Sequence, residues 1–243
     1  MEVFVEDVTK IWPGRRGASV VALDRFTHRF SSGRFSCLLG PSGCGKSTLV
    51  QIVGGLETAT SGRVRIVDRT KLDASRPLGA DSVMVWQNLN LFPWRNVIDN
   101  IAFGLEMQGV PKAERRERAS ALITSVGLRG FEGHLPGQLS GGMRQRVALA
   151  RALIMERPIM LMDEPFGSLD PLTRAELQRE FKALCARLRK TIVFVTHDVR
   201  EALLLGTRLA LLAHGRLVFA GAPGELTRAE HPEARAFAAT LDQ

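Results

Sequence analysis

The hydrophobic and polar positions divide the chain into three stretches of different character. The first stretch has short apolar or alternating runs, which are typical of β-strands. These strands are expected at residues 3–8, 20–23, 26–30, 34–39, 63–67 and 83–86. A helix is expected over 46–53, after the buried strand that ends at Leu39. The first stretch is therefore predicted to be rich in strands.

Helical spacing dominates from residue 88 to residue 157, where helices are predicted over 97–106, 112–126 and 145–155. After Pro158 the strands and helices alternate. Strands are expected there at 159–162, 191–196, 209–213 and 216–220, and helices at 172–190 and 199–205. Such alternation predicts an α/β core with a mainly parallel sheet, into which the helical stretch is inserted.

Composition and charge limit the classes of protein that fit. The 243 residues include 33 Lys+Arg and 25 Asp+Glu, a net charge of +8, and 45% are hydrophobic, which excludes wholesale disorder. The three cysteines are scattered, which argues against a zinc site or a disulfide framework. No apolar run approaches the roughly 18 residues that span a bilayer. Phosphorylated ligands, nucleic acid and anionic lipid all remain compatible with the basic charge.

The most specific motif lies at 40–48, where the sequence fits G-x-x-x-x-G-K-[ST] between a predicted strand and a predicted helix. Its glycines allow consecutive backbone N–H groups to face phosphate oxygens. The residues expected to bind phosphate are Gly40, Pro41, Ser42, Gly43, Cys44, Gly45, Lys46, Ser47 and Thr48. Within this loop, Lys46 is expected at the β- and γ-phosphates and the Ser47 hydroxyl on Mg²⁺.

Two carboxylates follow the strand predicted over 159–162. Asp163 stands where a P-loop NTPase holds Mg²⁺. Glu164 is the candidate to orient or deprotonate the attacking water. Acidic pairs are common in loops, so this pair indicates a catalytic site only in combination with the phosphate-binding loop. Together the two motifs indicate a P-loop NTPase.

A second glycine-rich turn, Leu139-Ser-Gly-Gly-Met-Arg-Gln145, precedes the helix predicted over 145–155. A second helix terminus suited to phosphate makes sense if it caps a nucleotide held by another copy of the chain. An ordinary serine N-cap beside two flexible glycines is the alternative. With this motif the chain resembles the ATP-binding subunits of ABC transporters, whose signature is L-S-G-G-x-x-Q.

The resemblance extends over essentially the whole chain and implies roles for further residues. Gln87 is similar to the Q-loop glutamine, which binds Mg²⁺ and senses the membrane partner, and Asp170 to the D-loop residue at the dimer interface. His197 is similar to the switch histidine at the γ-phosphate. Trp12 stands where an aromatic ring stacks on adenine, although a core position is the alternative. The signature residues implied to contact nucleotide are Ser140, Gly141, Gly142 and Gln145.

The resemblance also implies the architecture and the reaction. The fold would be a RecA-like core over 1–87 and 158–243, with an N-terminal antiparallel β subdomain and a helical subdomain over 88–157. The reaction would be ATP hydrolysis with Mg²⁺, in which Glu164, His197 and Lys46 are catalytic. The chain would form a homodimer with ATP at the cytoplasmic face of the cell membrane, as a peripheral subunit of a transmembrane permease. A solute-binding protein outside the membrane would be an indirect partner.

The stretch after Gln87 looks like the importers of nitrate, sulfonates, taurine and similar small anions, in which a Leu-x-Pro-Trp segment follows the Q-loop. The importers of thiamine precursors, pyrimidines and other small solutes have very similar ATPases and are the alternative. Leu91, Phe92 and Trp94 would form a docking surface for a permease helix, or would simply pack the helical insertion. A soluble ABC ATPase that acts on nucleic acid is the rival class. It usually has two cassettes or a long inserted coiled coil, and neither fits here, so no nucleic acid is expected. A nucleotide-dependent scaffold is the third alternative.

Overall fold

The structure, a computed structural model, describes residues 1–14, 18–68, 77–188 and 190–241. The chain divides into two compact units. The first unit consists of Met1–Ser82, Pro158–Glu164 and Lys182–Gln243, and the second of Val83–Arg157 and Pro165–Phe181. The predicted functional division at residues 88 and 157 follows different bounds and stays a prediction.

Except for the strand Ser19–Phe30, which was predicted as two strands, and the last helix, which was not predicted, the order of strands and helices is the predicted one. In chain order they are β1 (Glu2–Pro13), β2 (Ser19–Phe30), β3 (Phe35–Leu39), α1 (Lys46–Val53), β4 (Ser61–Val67), β5 (Ser82–Val85), α2 (Val97–Met107), α3 (Lys112–Ser125), α4 (Gly141–Leu153), β6 (Ile159–Asp163), α5 (Pro171–Leu188), β7 (Thr191–Val195), α6 (Val199–Leu205), β8 (Arg208–Ala213), β9 (Arg216–Gly221) and α7 (Pro232–Ala239). Position 189, within the helix predicted over 172–190, lies outside the described residues.

The strands of the first unit belong to two sheets. An antiparallel sheet has the strand order β2-β1-β4, and within the second sheet the strands that lie wholly in this unit have the order β6-β7-β3-β8-β9. In the second sheet β6, β7, β3 and β8 are parallel, and β9 is antiparallel to β8. Every residue of β3, β6 and β7 is buried, which explains their continuous apolar sequences. The predicted α/β class with an antiparallel β part and helical parts is confirmed.

The two strands predicted over 20–23 and 26–30 are one strand, β2. Arg25 lies between them with φ 49°, in the left-handed region. Its backbone N–H donates to Thr9 Oγ1 at 3.1 Å, so the irregular residue is held against β1. The pairing of β1 with β2 shifts register near this point. The prediction of a break was wrong because a bulge bends a strand without ending it.

The second unit has a helical core of its own. Residues from α2, α3 and α4 share one apolar cluster, in which Ile101, Ala119, Ile123 and Val147 are completely buried. Helix α4 begins at Gly141, four residues before its predicted start. The prediction was wrong because it treated the glycine pair as loop. Among the described residues, every helix is too short or too polar to cross a lipid bilayer.

Candidate nucleotide-binding site

The predicted phosphate-binding loop runs from the end of β3 to the start of α1, as its sequence context requires. Gly40 and Gly45 have φ 152° and 108°, in the region that favours glycine. A Cβ atom at Gly45 would lie 2.2 Å from the carbonyl oxygen of Ala22, and one at Gly40 would lie 2.2 Å from that of Leu212. The loop conformation therefore depends on these two glycines.

The ammonium group of Lys46 lies inside this loop. Its Nζ donates to the carbonyl oxygens of Gly40 and Pro41, each at 2.8 Å, and the residue is 5% exposed. A buried cation needs acceptors, and these carbonyls supply them. Phosphate oxygens are stronger acceptors for an ammonium group, so a bound triphosphate can take over these bonds.

Asp163 connects the strand end of β6 with the loop. The hydroxyl of Ser47 donates to its Oδ1 at 3.0 Å. Burial raises the pKa of Asp163, and the nearby Glu164 raises it further, against the lowering effects of the Ser47 hydrogen bond and the Lys46 charge. A hydroxyl and a buried carboxylate are hard oxygen ligands, and Asp163 forms no ion pair in the part of the chain that the structure describes. This donor set fits Mg²⁺.

Glu164 and His197 form a second pair at the same edge of the sheet. Glu164 follows β6 and His197 follows β7 within two residues. His197 Nδ1 lies 3.1 Å from Glu164 Oε2. Glu164 has φ 43°, in the left-handed region, and its backbone N–H donates to the carbonyl oxygen of Val195 at 3.1 Å. The backbone thus fixes the direction of a side chain that carries an acid–base group.

Trp12 lies near the end of β1 and is half-buried, outside the fully buried core. The ammonium group of Lys10 lies 4.2 Å from the centre of its ring. Lys10 is held by Glu57 Oε1 at 2.7 Å and by the carbonyl oxygen of Thr58 at 2.8 Å. A cation on one face and partial exposure fit a ring that stacks a planar ligand on its other face.

The second unit holds the remaining predicted residues. Gln87 is exposed and lines a cleft of about 430 Å³ together with Arg144 and Ser168. Ser140 caps α4, because its Oγ accepts from the backbone N–H of Met143 at 3.2 Å. Asp170 accepts from the backbone N–H of Thr173 at 3.0 Å, and this bond lowers the pKa of its carboxyl group.

Gln145 is the predicted site residue whose placement is least expected. Its side chain is completely buried, and neither amide atom has a hydrogen-bond partner in the described part of the chain. An unpaired buried amide is costly, and native proteins have few of them. Its predicted contact with nucleotide stays a prediction, because the side chain does not reach the surface of its own unit.

Two polar residues that hold backbone segments were missed by the sequence reasoning. Asn100 is completely buried in α2 and bonds to the loop before it. Arg151, in α4, donates to two loop carbonyl groups. Their only sequence signal is a polar residue within an otherwise apolar stretch of helix, and this signal does not identify the partner.

Residues 23–167 match the family model described as ABC transporter. Among curated relatives, a xylose/arabinose import ATP-binding protein of Haloferax volcanii is 41% identical over 90% of this chain and 57% of its own length. A taurine import ATP-binding protein of Rhizobium johnstonii is 43% identical over 88% of this chain and 81% of its own. A nitrate import ATP-binding protein of a Synechocystis species is 42% identical over 88% and 78%.

Among solved structures, a dimeric structure of MJ0796, described as a bacterial ABC transporter cassette, superposes with a TM-score of 0.78 at 33% identity. The match covers 91% of this chain and 98% of that chain. A second structure of the same cassette, in a post-hydrolysis state with ADP and Pi, matches equally well. This likeness confirms the fold class. The chain belongs to the ABC transporter family and is one of its ATP-binding subunits, an ABC-type ATPase.

Proposed function

We propose that this subunit energises the import of a small solute through a membrane permease, and that the solute is nitrate, a sulfonate, taurine or a similar anion. In this proposal the core over 1–87 and 158–243 binds ATP, and the helical subdomain over 88–157 meets the permease. The subunit works at the cytoplasmic face of the cell membrane. The single observation that carries the proposal is the bonded cluster that joins the phosphate-binding loop to the strand-end carboxylates.

In the proposed site, the loop from Gly40 to Thr48 binds the phosphates, and Lys46 leaves its two carbonyl acceptors for phosphate oxygens. Ser47 and Asp163 hold Mg²⁺, with Gln87 as a further ligand. The bound ion supplies positive charge to the phosphates and to the buried carboxylate. Trp12 stacks on the adenine ring. The bond of 3.0 Å between Ser47 and Asp163 supports the shared ligand role.

Glu164 is proposed as the group that accepts a proton from the attacking water. General base catalysis needs the base within hydrogen-bond reach of that water. His197 lies 3.1 Å from the Glu164 carboxylate and holds it in one orientation. In the nucleotide complex, His197 is proposed to turn to the γ-phosphate, which leaves Glu164 Oε2 free for the water.

The remaining site residues are proposed to act on the nucleotide of a second copy. The first backbone N–H groups of a helix have no partner within the helix, and they attract anions. Helix α4 presents those of Gly141 and Gly142 beside the exposed side chain of Ser140. Asp170 is proposed to complete this half of the site, and the buried Gln145 side chain would have to be uncovered to join it. Two copies that grip ATP between them would close on binding and open on hydrolysis.

Trp94 is the residue that best supports the permease contact. Leu91 packs against the apolar cluster of the second unit, and Phe92 lies 4.5 Å from Phe103 between ring centres. The Trp94 side chain, by contrast, is 74% exposed. Single exposed apolar residues are common, but the contact of so much of a tryptophan ring with water is unfavourable unless a partner covers it. We therefore assign docking to Trp94 and packing to Leu91.

The experiment that tests the proposal is reconstitution with the candidate permease in proteoliposomes. ATP hydrolysis is measured with taurine, nitrate and xylose added separately, together with a solute-binding protein. Stimulation by taurine or nitrate supports the anion assignment, and stimulation by xylose alone contradicts it. Trp94→Ala should reduce assembly with the permease, whereas Leu56→Ala, at an apolar residue that is 57% exposed, should not.

A further inference from the structure

The segment Leu89–Asn96 has no regular secondary structure, yet it is held tightly from one side. Asn100 accepts from the backbone N–H of Phe92 at 2.9 Å. Its amide nitrogen donates to the carbonyl oxygens of Phe92, Arg95 and Asn96 at 3.1, 2.8 and 3.1 Å. Backbone groups in a loop need such partners when helix and sheet bonds are missing. Asn100 thus fixes the later part of the segment to α2.

The earlier part of the segment is bonded to a different helix. Arg151, in the last turn of α4, donates from Nη2 to the carbonyl oxygen of Leu89 at 2.6 Å and from Nη1 to that of Asn90 at 2.7 Å. The guanidinium carbon also lies 5.8 Å from the centre of the Phe92 ring. The planar fork of arginine allows both carbonyls to be held at once, and lysine has no such geometry.

This arrangement is costly, which makes a general structural role an incomplete explanation. Burial lowers the pKa of Arg151, so the charged form is disfavoured where it lies. The bonds described above reach carbonyl dipoles rather than a carboxylate. Asn90, whose carbonyl oxygen accepts one of these bonds, has φ 48°, in the left-handed region. A partly desolvated cation and a non-glycine residue in this region are thus combined at one contact.

Helix α4 connects this contact to the predicted nucleotide contacts. Ser140 caps its first turn and Arg151 lies in its last. At 1.5 Å per residue, the two ends of this helix are about 15 to 20 Å apart. A helix of this length moves as a stiff rod, so a displacement at one end reaches the other.

We propose that Arg151 is a positioning residue that makes Leu89 and Asn90 follow helix α4, so that the segment beside Gln87 responds to ATP at the Ser140 end. This inference rests on the proposed function, since it needs ATP to act on the first turn of α4. Beyond that function, it assigns a role to Arg151, and it states that a displacement passes from the Ser140 end of α4 to Leu89 and Asn90. Trp94 lies in the same segment and is displaced with it.

Hydrogen exchange of the full-length chain tests the role without the permease. The parent is Glu164→Gln, which keeps ATP intact. Arg151→Lys in this parent should speed exchange of the peptide 88–96 by about tenfold or more without nucleotide, because the single ammonium nitrogen of lysine cannot reproduce the planar fork that holds both carbonyl groups. Addition of Mg·ATP should change exchange in this peptide in the parent and leave it unaltered in the variant. Protection of the phosphate-binding loop by ATP should be the same in both.

Arg179→Lys is the matched control, because Arg179 also donates to a carbonyl oxygen, that of Ala175, at 3.2 Å. It should leave exchange of 88–96 unchanged. Two results would overturn the proposal. One is an Arg151→Lys chain with the exchange of its parent at 88–96, with and without Mg·ATP. The other is a uniform rise over α2 and α3, which would indicate a general loss of stability.

The parent alone decides the question if Arg151→Lys does not fold. ATP should then alter exchange in the first turn of α4 and in 88–96 together, and a change confined to α4 contradicts the proposal. Failure of the proposed function gives a different pattern. In that case Mg·ATP does not assemble dimers of the parent, while the comparison without nucleotide still tests whether Arg151 holds the segment.

Discussion

The two units hold their predicted site residues in opposite ways. In the first unit two pairs of these side chains contact each other: Ser47 bonds to Asp163, and His197 lies 3.1 Å from Glu164. In the second unit each one is bonded locally or not at all. Ser140 caps its own helix, and Gln87 is exposed. Under the proposed function, the first arrangement is a preformed site, and the second is a set of groups that need a ligand from another copy.

This difference between the units suggests how a nucleotide-binding site can be divided between two copies of the chain. Preformed clusters give chemistry to a single chain, because the reacting groups need no further ordering. Groups that are bonded only within their own helix or loop do not contribute to catalysis until another surface presents a ligand to them. On this account, substitutions in the first unit change the chemical step, and substitutions in the second change assembly.

The largest effect is expected at Glu164. Glu164→Gln removes the proposed base and keeps the shape of the side chain, so ATP turnover should fall by roughly 10²- to 10⁴-fold. ATP affinity, measured by equilibrium dialysis, should remain. Glu230→Gln changes an exposed carboxylate elsewhere and should leave turnover unchanged. Normal ATP turnover by Glu164→Gln would show that Glu164 is not the catalytic base.

Asp163→Asn should weaken the binding of Mg·ATP without lowering the stability of the nucleotide-free chain. Mg·ATP at a hundred times its dissociation constant should stabilise the wild type by about 2.7 kcal/mol, and this gain should be lost in the variant at the same concentration. Thermal unfolding with and without Mg·ATP provides the measurement. A variant that keeps the full gain would show that Asp163 is not needed to hold Mg·ATP.

Without nucleotide, Asp163→Asn should be at least as stable as the wild type at neutral pH. Burial raises the pKa of Asp163, so the folded chain binds this proton more tightly than the unfolded chain does. The stability of the wild type should therefore decrease as the pH rises from the ordinary pKa of an aspartate through the raised one. The variant should lack this contribution in denaturant titrations across that range.

The glycine pair at the start of α4 gives a matched test in the second unit. A Cβ atom at Gly142 would lie 2.6 Å from Thr173 Cγ2, whereas one at Gly141 would lie 3.5 Å from Leu169 Cδ2. Gly142→Ala should lower the free energy of unfolding by about 1–3 kcal/mol through overpacking. Gly141→Ala should change it by less than about 1 kcal/mol. Thr173→Ser should relieve the Gly142→Ala defect, and equal effects of the two alanines would contradict the packing described.

A modest effect on stability is expected at Ser140. Ser140→Ala removes the N-cap of α4 and should cost about 1 kcal/mol in denaturant unfolding. We expect Ser140→Ala to lower ATP turnover only by weakening the association of two copies. The loss of turnover should therefore be greatest at low protein concentration. Ser120→Ala, an exposed residue of α3, is the control for stability. A loss of turnover that is independent of concentration would contradict the assignment of Ser140 to assembly.

Much of the first unit could be predicted because its motifs are local. The loop at 40–48 fixes the phosphate site by backbone conformation, and α1 has the predicted bounds. The strand at 159–162 ends at the carboxylates because a buried strand has a continuous apolar sequence. The pairing of Ser47 with Asp163 needs only that parallel strands end at one edge of a sheet.

What the sequence could not predict depends on contacts between distant residues. The bulge at Arg25 relies on Thr9, and the start of α4 relies on Ser140 as a cap for a helix that contains two glycines. Arg151 and Asn100 bond to carbonyl groups, which every residue has, so no pattern of side chains reveals the partner. The helix α7 was missed because its apolar face is short.

The most direct test of the divided site is the mass of the Glu164→Gln chain with and without Mg·ATP, measured by sedimentation. The account predicts that the mass doubles when ATP binds and returns to that of one chain when the nucleotide is removed. A chain that binds one ATP stoichiometrically and keeps the mass of a single copy, at every concentration tested and also beside its permease, would contradict it.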